Sequence, residues 1–280
     1  MKVCVVQPHI IFWSKSENLK HIRSLIDSVE TQIDLFVLPE TFNTGFHPDA
    51  KLIGEEEEGG ETLEWMKDIA IKKRCAITGS IAVRVGEGFK NRMYFVYPNG
   101  TYLYYDKKHL YTMGNEDDNY KSGSSRVIIE YNGWKFLLAI CYDVRFPVFL
   151  RNKESDLYDV LIVVGCWSAR NRTHWKTLTK ARAIENQCFV LASNCWGVYG
   201  DARSSGESND DLIFLGESRI YDPYGTAVCK GKESEDQCLC YILKKEEIEK
   251  RRMTFPVLKD EDQFRIIGVY RYIIPYINII

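Results

Sequence analysis

The sequence predicts a single-domain α/β protein whose strands form one mixed sheet or a pair of sheets. Short apolar runs, which are typical of buried strands, alternate with segments whose apolar residues recur at helical spacing. Hairpin turns interrupt this alternation, most clearly at Asn132-Gly133, which favours a mixed rather than a purely parallel arrangement. The 280 residues contain neither an internal repeat nor a recognisable linker, so one domain is expected.

The first half of the chain begins with a strand–helix–strand unit. Residues 1–8 read as a strand, and Ser14 with Glu17 resembles the capping box that starts a helix. Residues 34–40 form the next strand, and residues 55–58, all glutamate, are expected in a solvated loop. Further predicted elements are a helix marked by Leu63, Met66, Ile69 and Ala70, and strands at residues 76–83, 92–98 and 102–107.

The second half starts with a polar loop at residues 112–125 and a hairpin at residues 131–134. The remaining predicted elements are strands at residues 136–140, 159–165, 189–194, 218–222 and 237–243, and helices near residues 175–184 and 244–252. The domain is expected to cover residues 1–265. The apolar and aromatic tail, residues 266–280, is left open as an added strand, a partner-binding segment or packing for a dimer.

Composition excludes several classes of protein. With 37 Lys plus Arg and 39 Asp plus Glu, the net charge is −2, which gives no electrostatic basis for binding nucleic acid or an anionic membrane. No run of 18 apolar residues suggests a membrane span. The 9 cysteines and the absence of a recognisable signal peptide predict reduced thiols in the cytoplasm. The 5 histidines show no zinc-ligand spacing, so neither a metal nor a cofactor is expected.

The chain is organised around residues 136–147, where an apolar strand changes abruptly into a polar cluster. Cys141 stands at the end of this strand, and Pro147 suits the first turn of a following helix. A thiol at such a junction lies near free backbone N–H groups and a helix dipole, which would favour the thiolate. A buried structural cysteine is the alternative, but the charged residues that follow favour a nucleophile.

Two further predicted strands also end in charged residues. Glu40 ends the strand at residues 34–40, and Lys107 follows an aromatic strand. Because sites in α/β proteins gather at the carboxyl ends of strands, these residues and Cys141 form a candidate base, electrophile and nucleophile. Alternation along a strand allows only one of Lys107 and Lys108 to face the site.

These three segments resemble the motifs of the nitrilase superfamily of carbon–nitrogen hydrolases, and within it most closely the bacterial omega-amidases. The resemblance extends from Lys2 to about Arg265, and the motifs occur in the family's order. The matching segments are residues 38–42, 105–111 and 140–147, supported by Gly45-Phe46, Asn91-Arg92, residues 120–123, residues 181–187 and Phe255-Pro256. The resemblance implies a four-layer α-β-β-α sandwich that dimerises.

The resemblance also implies the roles of the candidate catalytic residues. Cys141 would attack an amide carbonyl and form a thioester, with Glu40 as general base and Lys107 as the group that stabilises the oxyanion. The family pattern selects Lys107 over Lys108. Glu116 matches the second glutamate that members of the superfamily often carry, and is expected to position Lys107 or the substrate amide. His109 is expected to form structural hydrogen bonds.

Four residues are expected to bind the substrate. The backbone N–H of Tyr142 is a second candidate oxyanion donor, and Trp167 and Phe46 are candidate pocket walls. Arg170, rather than Arg172, is the preferred partner for a substrate carboxylate. Asp143 and Arg145 are instead expected in structural or interface pairs, and Arg182 is expected to pair with Glu185, three residues further along a helix.

The implied activity is hydrolysis of the omega-amide of a small 2-oxo acid, such as 2-oxoglutaramate or 2-oxosuccinamate, to the acid and ammonia. A nearby alternative is another small amide, a carbamoyl compound or a nitrile, hydrolysed by the same three residues. A different class of function is a non-catalytic dimer or a thiol-based redox sensor. A complete set of Glu40, Lys107 and Cys141 argues against that second class.

Overall fold

The computed structural model describes residues 1–56, 60–200, 210–262, 264–268 and 270–274 of the chain. The strands are β1 (Lys2–Gln7), β2 (Leu35–Val37), β3 (Glu55–Glu56), β4 (Ala76–Val85), β5 (Gly88–Val96), β6 (Tyr102–Asp106), β7 (Ser125–Tyr131), β8 (Trp134–Ile140), β9 (Val160–Val164), β10 (Phe189–Ser193), β11 (Trp196–Val198), β12 (Ile213–Leu215), β13 (Arg219–Tyr221), β14 (Ala227–Lys230), β15 (Gln237–Ile242) and β16 (Tyr270–Ile274). The helices are α1 (Lys15–Asp27), α2 (Glu61–Lys73), α3 (Glu116–Asn119), α4 (Pro147–Leu150), α5 (Arg172–Asn186) and α6 (Lys245–Thr254).

These strands form two seven-stranded sheets and one small two-stranded sheet. The first large sheet has the order β15-β1-β2-β4-β5-β6, with β3 paired to β4, and the second has the order β14-β13-β10-β9-β8-β7-β16. Both are mixed: β1, β2 and β4 run parallel, as do β8, β9 and β10, while β15 is antiparallel to β1. The fold class expected from the sequence, an α/β protein with two sheets packed among helices, is confirmed.

The main core lies between the two large sheets. It joins apolar side chains of β1 and β2 in the first sheet to those of β8, β9 and β10 in the second. A second core covers the other face of the first sheet, where buried residues of α1 and α2 such as Ile22 and Met66 pack. Helix α5 packs on β9 and β10 of the second sheet. The result is the helix–sheet–sheet–helix layering that the resemblance implied.

Local sequence explains most element boundaries, with two exceptions. The Asn132-Gly133 turn joins β7 and β8 with both residues at positive φ, as a two-residue hairpin requires. Ser14 caps α1, but its side chain makes no capping hydrogen bond, so the predicted capping box is wrong. Glu55 is buried and its carboxylate accepts from the Thr62 backbone N–H at 2.9 Å, so it does not lie in a solvated loop; residues 57 and 58 lie outside the described residues.

Strand direction places the candidate residues at one edge of the molecule. β4, β5 and β6 form an antiparallel meander, so β6 runs in the same direction as β2. Glu40 and Lys107 therefore follow the ends of strands that point the same way, while Cys141 follows β8 in the facing sheet. Each helix in the described residues is too short or too polar to span a lipid bilayer.

The tail contributes a strand to the second sheet. β16 pairs in parallel with β7 in the register Tyr270–Ser125 to Ile274–Ile129, and so extends the edge of that sheet. Of the possibilities left open for this tail, an added strand is what residues 270–274 form.

Candidate active site

Glu40, Lys107 and Cys141 meet at the floor of one cavity. Lys107 Nζ lies 2.9 Å from Glu40 Oε1, and the two side chains are each about 1% exposed. The Cys141 thiol lies close enough to the Glu40 carboxylate for the negative charge of the carboxylate to raise the pKa of the thiol. The other carboxylate oxygen, Glu40 Oε2, accepts from the Cys166 backbone N–H at 3.0 Å. A base and an ammonium group are thus held beside a thiol, as nucleophilic attack on a carbonyl requires.

Cys141 occupies a strained backbone position at the start of a short 3₁₀ turn, Cys141–Arg145. Its φ of 47° is in the left-handed region, which a non-glycine residue rarely adopts and which is typical of functional sites. The first N–H groups of such a turn have no acceptor within it, so the Tyr142 N–H is suited to bind an oxyanion. Helix α4 begins at Pro147, as expected, but the element that begins at Cys141 is this 3₁₀ turn and not an α-helix.

The electrostatics at Cys141 oppose spontaneous ionisation. Burial and the negative charge of Glu40 raise the pKa of the Cys141 thiol well above its usual value, although Lys107 acts in the opposite direction. The expectation that this position favours the thiolate is therefore wrong for the free enzyme. An attacking thiol has to lose its proton to a base, and the neighbouring carboxylate of Glu40, which lines the same cavity, is the candidate for that role.

Lys107 remains a cation in spite of its burial. Desolvation alone would lower the pKa of its ammonium group, but the carboxylates of Glu116 and Glu40 raise it well above its usual value. Lys107 Nζ donates to Glu116 Oε2 at 2.8 Å and to Glu116 Oε1 at 3.0 Å, in addition to Glu40. Lys108 does not contribute its side chain to this cluster.

Glu116 lies behind Lys107 rather than in the cavity. It is fully buried, and its Oε2 also accepts from the Tyr111 backbone N–H at 2.6 Å. Burial raises the pKa of the Glu116 carboxyl, Lys107 lowers it and Glu40 raises it, and the net change is upward. Asn91 Nδ2 donates to both carboxylates, to Glu40 Oε1 at 2.8 Å and to Glu116 Oε1 at 3.3 Å.

The cavity above Cys141 has a volume of about 410 Å³. All four residues expected to bind substrate line it: Phe46, Tyr142, Trp167 and Arg170. Phe46 also lies beside the cation, with Lys107 Nζ 5.7 Å from the centre of its ring. Other lining residues are Tyr111, Arg145, Cys166, Tyr199 and Phe214.

Arg145 lines the cavity, although sequence reasoning did not place it there. Its guanidinium carbon is 4.7 Å from the centre of the Trp167 ring and 5.8 Å from that of Tyr142. Its contact with His174 Nδ1 is 3.3 Å long, and among the described residues no carboxylate lies within ion-pair distance of it. Arg145 therefore lines the cavity, where the sequence led us to expect a structural or interface pair. Arg170, by contrast, has a side chain 69% exposed and forms an ion pair with Asp211 at 2.7 Å.

Neighbouring polar residues hold the 3₁₀ turn of Cys141 in place. Asp143 accepts from Tyr105 Oη at 2.7 Å and from the Ile140 backbone N–H at 2.9 Å, so it binds the strand that carries Lys107 to the turn that carries Cys141. His109 Nδ1 lies 2.8 Å from Asp143 Oδ1, which gives His109 the structural role expected for it. Arg182 pairs with Glu185 at 2.8 Å and also donates to the Val144 carbonyl.

Sequence reasoning missed the roles of Asn91, Arg145 and Cys166 in this site. Asn91 and Arg145 fall inside the segments that carry the family resemblance, but neither was assigned to the chemistry. The register of β5 against β6 is what identifies Asn91. Arg92 pairs with Asp106, so the next cross-strand position places Asn91 opposite Lys107. Cys166 had no signal beyond its position after the buried strand β9.

Known proteins resemble this chain over nearly its whole length. Residues 2–252 match the carbon–nitrogen hydrolase family. The chain is 33% identical to the omega-amidase YafV of Yersinia enterocolitica over 267 residues, which covers 95% of this chain and 99% of that protein. It is 34% identical to the 2-oxoglutaramate amidase of Bacillus subtilis over 262 residues, covering 92% and 96% of the two chains.

A solved structure agrees with the fold at similar identity. A carbon–nitrogen hydrolase superfamily protein from Xanthomonas campestris, determined with an arsenic adduct in its active site, superposes with a TM-score of 0.87. It is 33% identical, and the match covers 95% of this chain and 98% of that one. Sequence, fold and the buried cluster of Glu40, Lys107 and Cys141 lead to the same conclusion: this chain belongs to the carbon–nitrogen hydrolase family and is a hydrolase of carbon–nitrogen bonds other than peptide bonds.

Proposed function

We propose that this protein is an omega-amidase that hydrolyses the terminal amide of a small 2-oxo dicarboxylic acid monoamide, with 2-oxoglutaramate as the first candidate and 2-oxosuccinamate as the second. The observation that carries the proposal is a cavity with Cys141 on its floor and two arginines, Arg145 and Arg170, among its lining residues. A small amide that also bears a carboxylate matches this combination of reactive and cationic groups. The omega-amidase and 2-oxoglutaramate amidase among the relatives support the same substrate class.

In the proposed reaction, Glu40 takes the proton of Cys141 as the sulfur attacks the amide carbonyl carbon. The oxyanion that forms accepts hydrogen bonds from Lys107 Nζ and the Tyr142 backbone N–H. Glu40 then gives the proton to the leaving nitrogen, the C–N bond breaks, and ammonia departs from a thioester on Cys141. Glu40 next takes a proton from water as the water oxygen attacks the thioester, and it returns this proton to the sulfur as the C–S bond breaks, which releases the acid and the free thiol. Glu116 positions Lys107 and does not itself touch the substrate.

Arg145 and Arg170 are the proposed partners of the substrate carboxylate. An anion buried without a partner would be strongly destabilised, so a site for an omega-amide needs a cation at its far end. Arg145 lies between Trp167 and Tyr142 and is oriented by their rings, whereas Arg170 is at the exposed rim and already has Asp211 as a partner. We therefore assign the larger share of carboxylate binding to Arg145 and a secondary share to Arg170.

Ammonia release from a panel of compounds tests the proposed substrate class. The panel contains 2-oxoglutaramate, 2-oxosuccinamate, a neutral amide of similar length, a carbamoyl compound and a nitrile. The two oxo-acid amides should have the highest kcat/KM, and intact-protein mass spectrometry of quenched reactions should show an acyl group on Cys141. Preference for the carbamoyl compound or the nitrile would replace the omega-amidase assignment, and no turnover of any of them would favour the thiol sensor.

The protein is further proposed to act as a homodimer in the cytoplasm. Ile184 on α5, Tyr224 and Phe255 are 41%, 43% and 52% exposed, and Arg251 lies over the rings of both Tyr224 and Phe255. This partly apolar surface, formed by α5, the turn at residues 223–224 and the end of α6, suits the packing of a second copy. All nine cysteines are free, as a reducing compartment would keep them. Light scattering should give twice the chain mass, and Ile184→Lys should shift the protein towards the monomer.

A further inference from the structure

We infer that Asn91 is a positioning residue of the catalytic centre, which holds Glu40 and Glu116 together on the side opposite Lys107. The inference rests on the catalytic roles proposed for Glu40 and Lys107. It does not depend on which amide is the substrate.

The evidence is a closed ring of four polar atoms. Lys107 Nζ and Asn91 Nδ2 each contact the same two oxygens, Glu40 Oε1 and Glu116 Oε1. The four distances around this ring are 2.9 and 3.0 Å from the lysine, and 2.8 and 3.3 Å from the asparagine. The amide therefore repeats the bridging contacts of the ammonium group without adding a charge.

This second bridge matters because the cluster contains two carboxylates and one cation. Two buried carboxylates that share a single cation repel each other, and each hydrogen-bond donor stabilises their charged forms. The ammonium group of Lys107 has three N–H donors, of which one goes to Glu40 and at least one to Glu116. With Asn91 supplying a further donor to each carboxylate, one N–H of Lys107 can turn to the substrate oxyanion.

Local structure fixes Asn91 in this role. Its backbone carbonyl accepts from the Lys107 backbone N–H at 2.9 Å, so the two residues are cross-strand neighbours whose side chains share a face. Asn91 is 1% exposed, and its Oδ1 has no hydrogen-bond partner among the described residues. A buried carbonyl without a donor is unfavourable, and the opposite orientation of the amide would place this oxygen against two carboxylates. The Asn91 amide therefore keeps the orientation in which its Nδ2 donates to Glu40 and Glu116.

Substitution of Asn91 should lower kcat with little change in KM, because Asn91 does not line the cavity. In Asn91→Leu, which has a similar shape but no donor, we expect kcat to fall about 10- to 100-fold, at or below the lower end of the roughly 10²–10⁴-fold that a general acid or base itself contributes, because Asn91 acts through Glu40. Asn91→Ser retains one donor and should lose less. Thr78→Val is the matched control, since Thr78 is also buried and its hydroxyl donates to the Tyr94 carbonyl rather than to the site. Its kcat should stay within twofold of the unsubstituted enzyme.

Asn91→Asp gives a kcat whose dependence on pH distinguishes a hydrogen-bonding role of residue 91 from a purely structural one. Its ionised carboxylate cannot donate and adds a third negative charge, whereas its protonated form donates one hydrogen bond. The ratio of kcat in Asn91→Asp to kcat in Asn91→Leu should therefore rise as pH falls. A ratio that does not change with pH, or a folded Asn91→Leu with kcat within threefold of the unsubstituted enzyme, would overturn the inference.

Alkylation of Cys141 by iodoacetamide separates this inference from the proposed substrate. It needs no substrate and reports how readily the thiol loses its proton. Asn91→Leu removes both N–H donors, and this makes the proton of the Cys141 thiol harder to remove. The pH profile of alkylation should therefore move to higher pH in Asn91→Leu. If the leucine variant does not fold, Asn91→Ser, which retains one donor, should show a smaller move in the same direction. An unchanged profile in the folded variant contradicts the role of Asn91, whichever amides the enzyme accepts.

Discussion

The Cys166 backbone N–H donates to Glu40 Oε2 over 3.0 Å and thereby connects the two large sheets at the catalytic centre. Glu40 follows a strand of the first sheet, and Cys166 follows β9 of the second. Glu40 also donates its own backbone N–H to the Gly165 carbonyl at 3.3 Å. The proposed base is therefore oriented by the sheet that carries the nucleophile, so the packing of the two sheets creates the site.

Cys141→Ala should abolish turnover and preserve the fold. The substitution removes only the sulfur, and the 3₁₀ turn remains held by Asp143. Ammonia release and circular dichroism on the same preparation test both statements. Turnover above background in purified Cys141→Ala would exclude Cys141 as the nucleophile.

Lys107→Met should lower kcat far more than Lys108→Met. Loss of one oxyanion donor typically lowers kcat about 10²–10³-fold, and Lys107 is the lysine that contacts both glutamates. Lys107→Met also leaves two buried carboxylates without their cation, so its melting temperature should fall at neutral pH and recover partly at acidic pH. Equal losses of kcat in the two variants would show that Lys107 has no special role.

Glu40→Gln should make the Cys141 thiol easier to ionise and, at the same time, should lower amide turnover. The negative charge of Glu40 raises the pKa of this thiol, so its removal should lower that pKa and move the pH profile of iodoacetamide alkylation to lower pH. Amide turnover should fall because the base is lost.

The alkylation profile also separates the enzyme from the thiol sensor. If the profile is the same in Glu40→Gln and in the unsubstituted protein, Glu40 does not act on the thiol. That outcome, together with absence of amide turnover, would favour a sensor. Cys141→Ala is the control that identifies alkylation at other cysteines.

Arg145→Leu should raise KM for a carboxylate-bearing amide more than Arg170→Leu does. We expect about a tenfold or larger increase for Arg145→Leu, because its guanidinium lies in the cavity wall beside the rings of Trp167 and Tyr142 and has no carboxylate partner among the described residues. Arg170→Leu should give a smaller increase, since its guanidinium is exposed and paired with Asp211. A neutral amide of similar size should be hydrolysed as before by both variants. Equal effects on charged and neutral amides would assign neither arginine to the carboxylate.

Strand ends and the order of motifs carried most of the predictive information in the sequence. An apolar run that ends in a reactive residue, as at Cys141, is visible locally, and so is the Asn132-Gly133 turn. The general α/β class follows from such signals. The pairing of β1 with β15 does not, because it joins opposite ends of the chain and leaves no local mark on either segment.

The errors came from groups whose environment depends on tertiary packing. Glu55 lies in a run of acidic residues, but Asn43 and Thr62 bury and bind its carboxylate. At Cys141, burial and Glu40 raise the pKa of the thiol while Lys107 lowers it. The net result depends on distances between these groups, which cannot be read from the spacing of residues in the sequence. The sequence also does not show that Arg145, which is expected in a structural or interface pair, lies in the cavity wall with its guanidinium carbon 4.7 Å from the centre of the Trp167 ring.

The pairing of β1 with β15 also constrains how the protein can be made. β1 leaves the ribosome long before its partner at Gln237–Ile242, because most of this chain lies between the two strands. Until then, one edge of the first sheet has unpaired backbone groups beside an apolar strand, which is the kind of surface that associates with other chains. A nascent or prematurely terminated chain that lacks Gln237–Ile242 should therefore aggregate or require a chaperone, even though it already contains Glu40, Lys107 and Cys141.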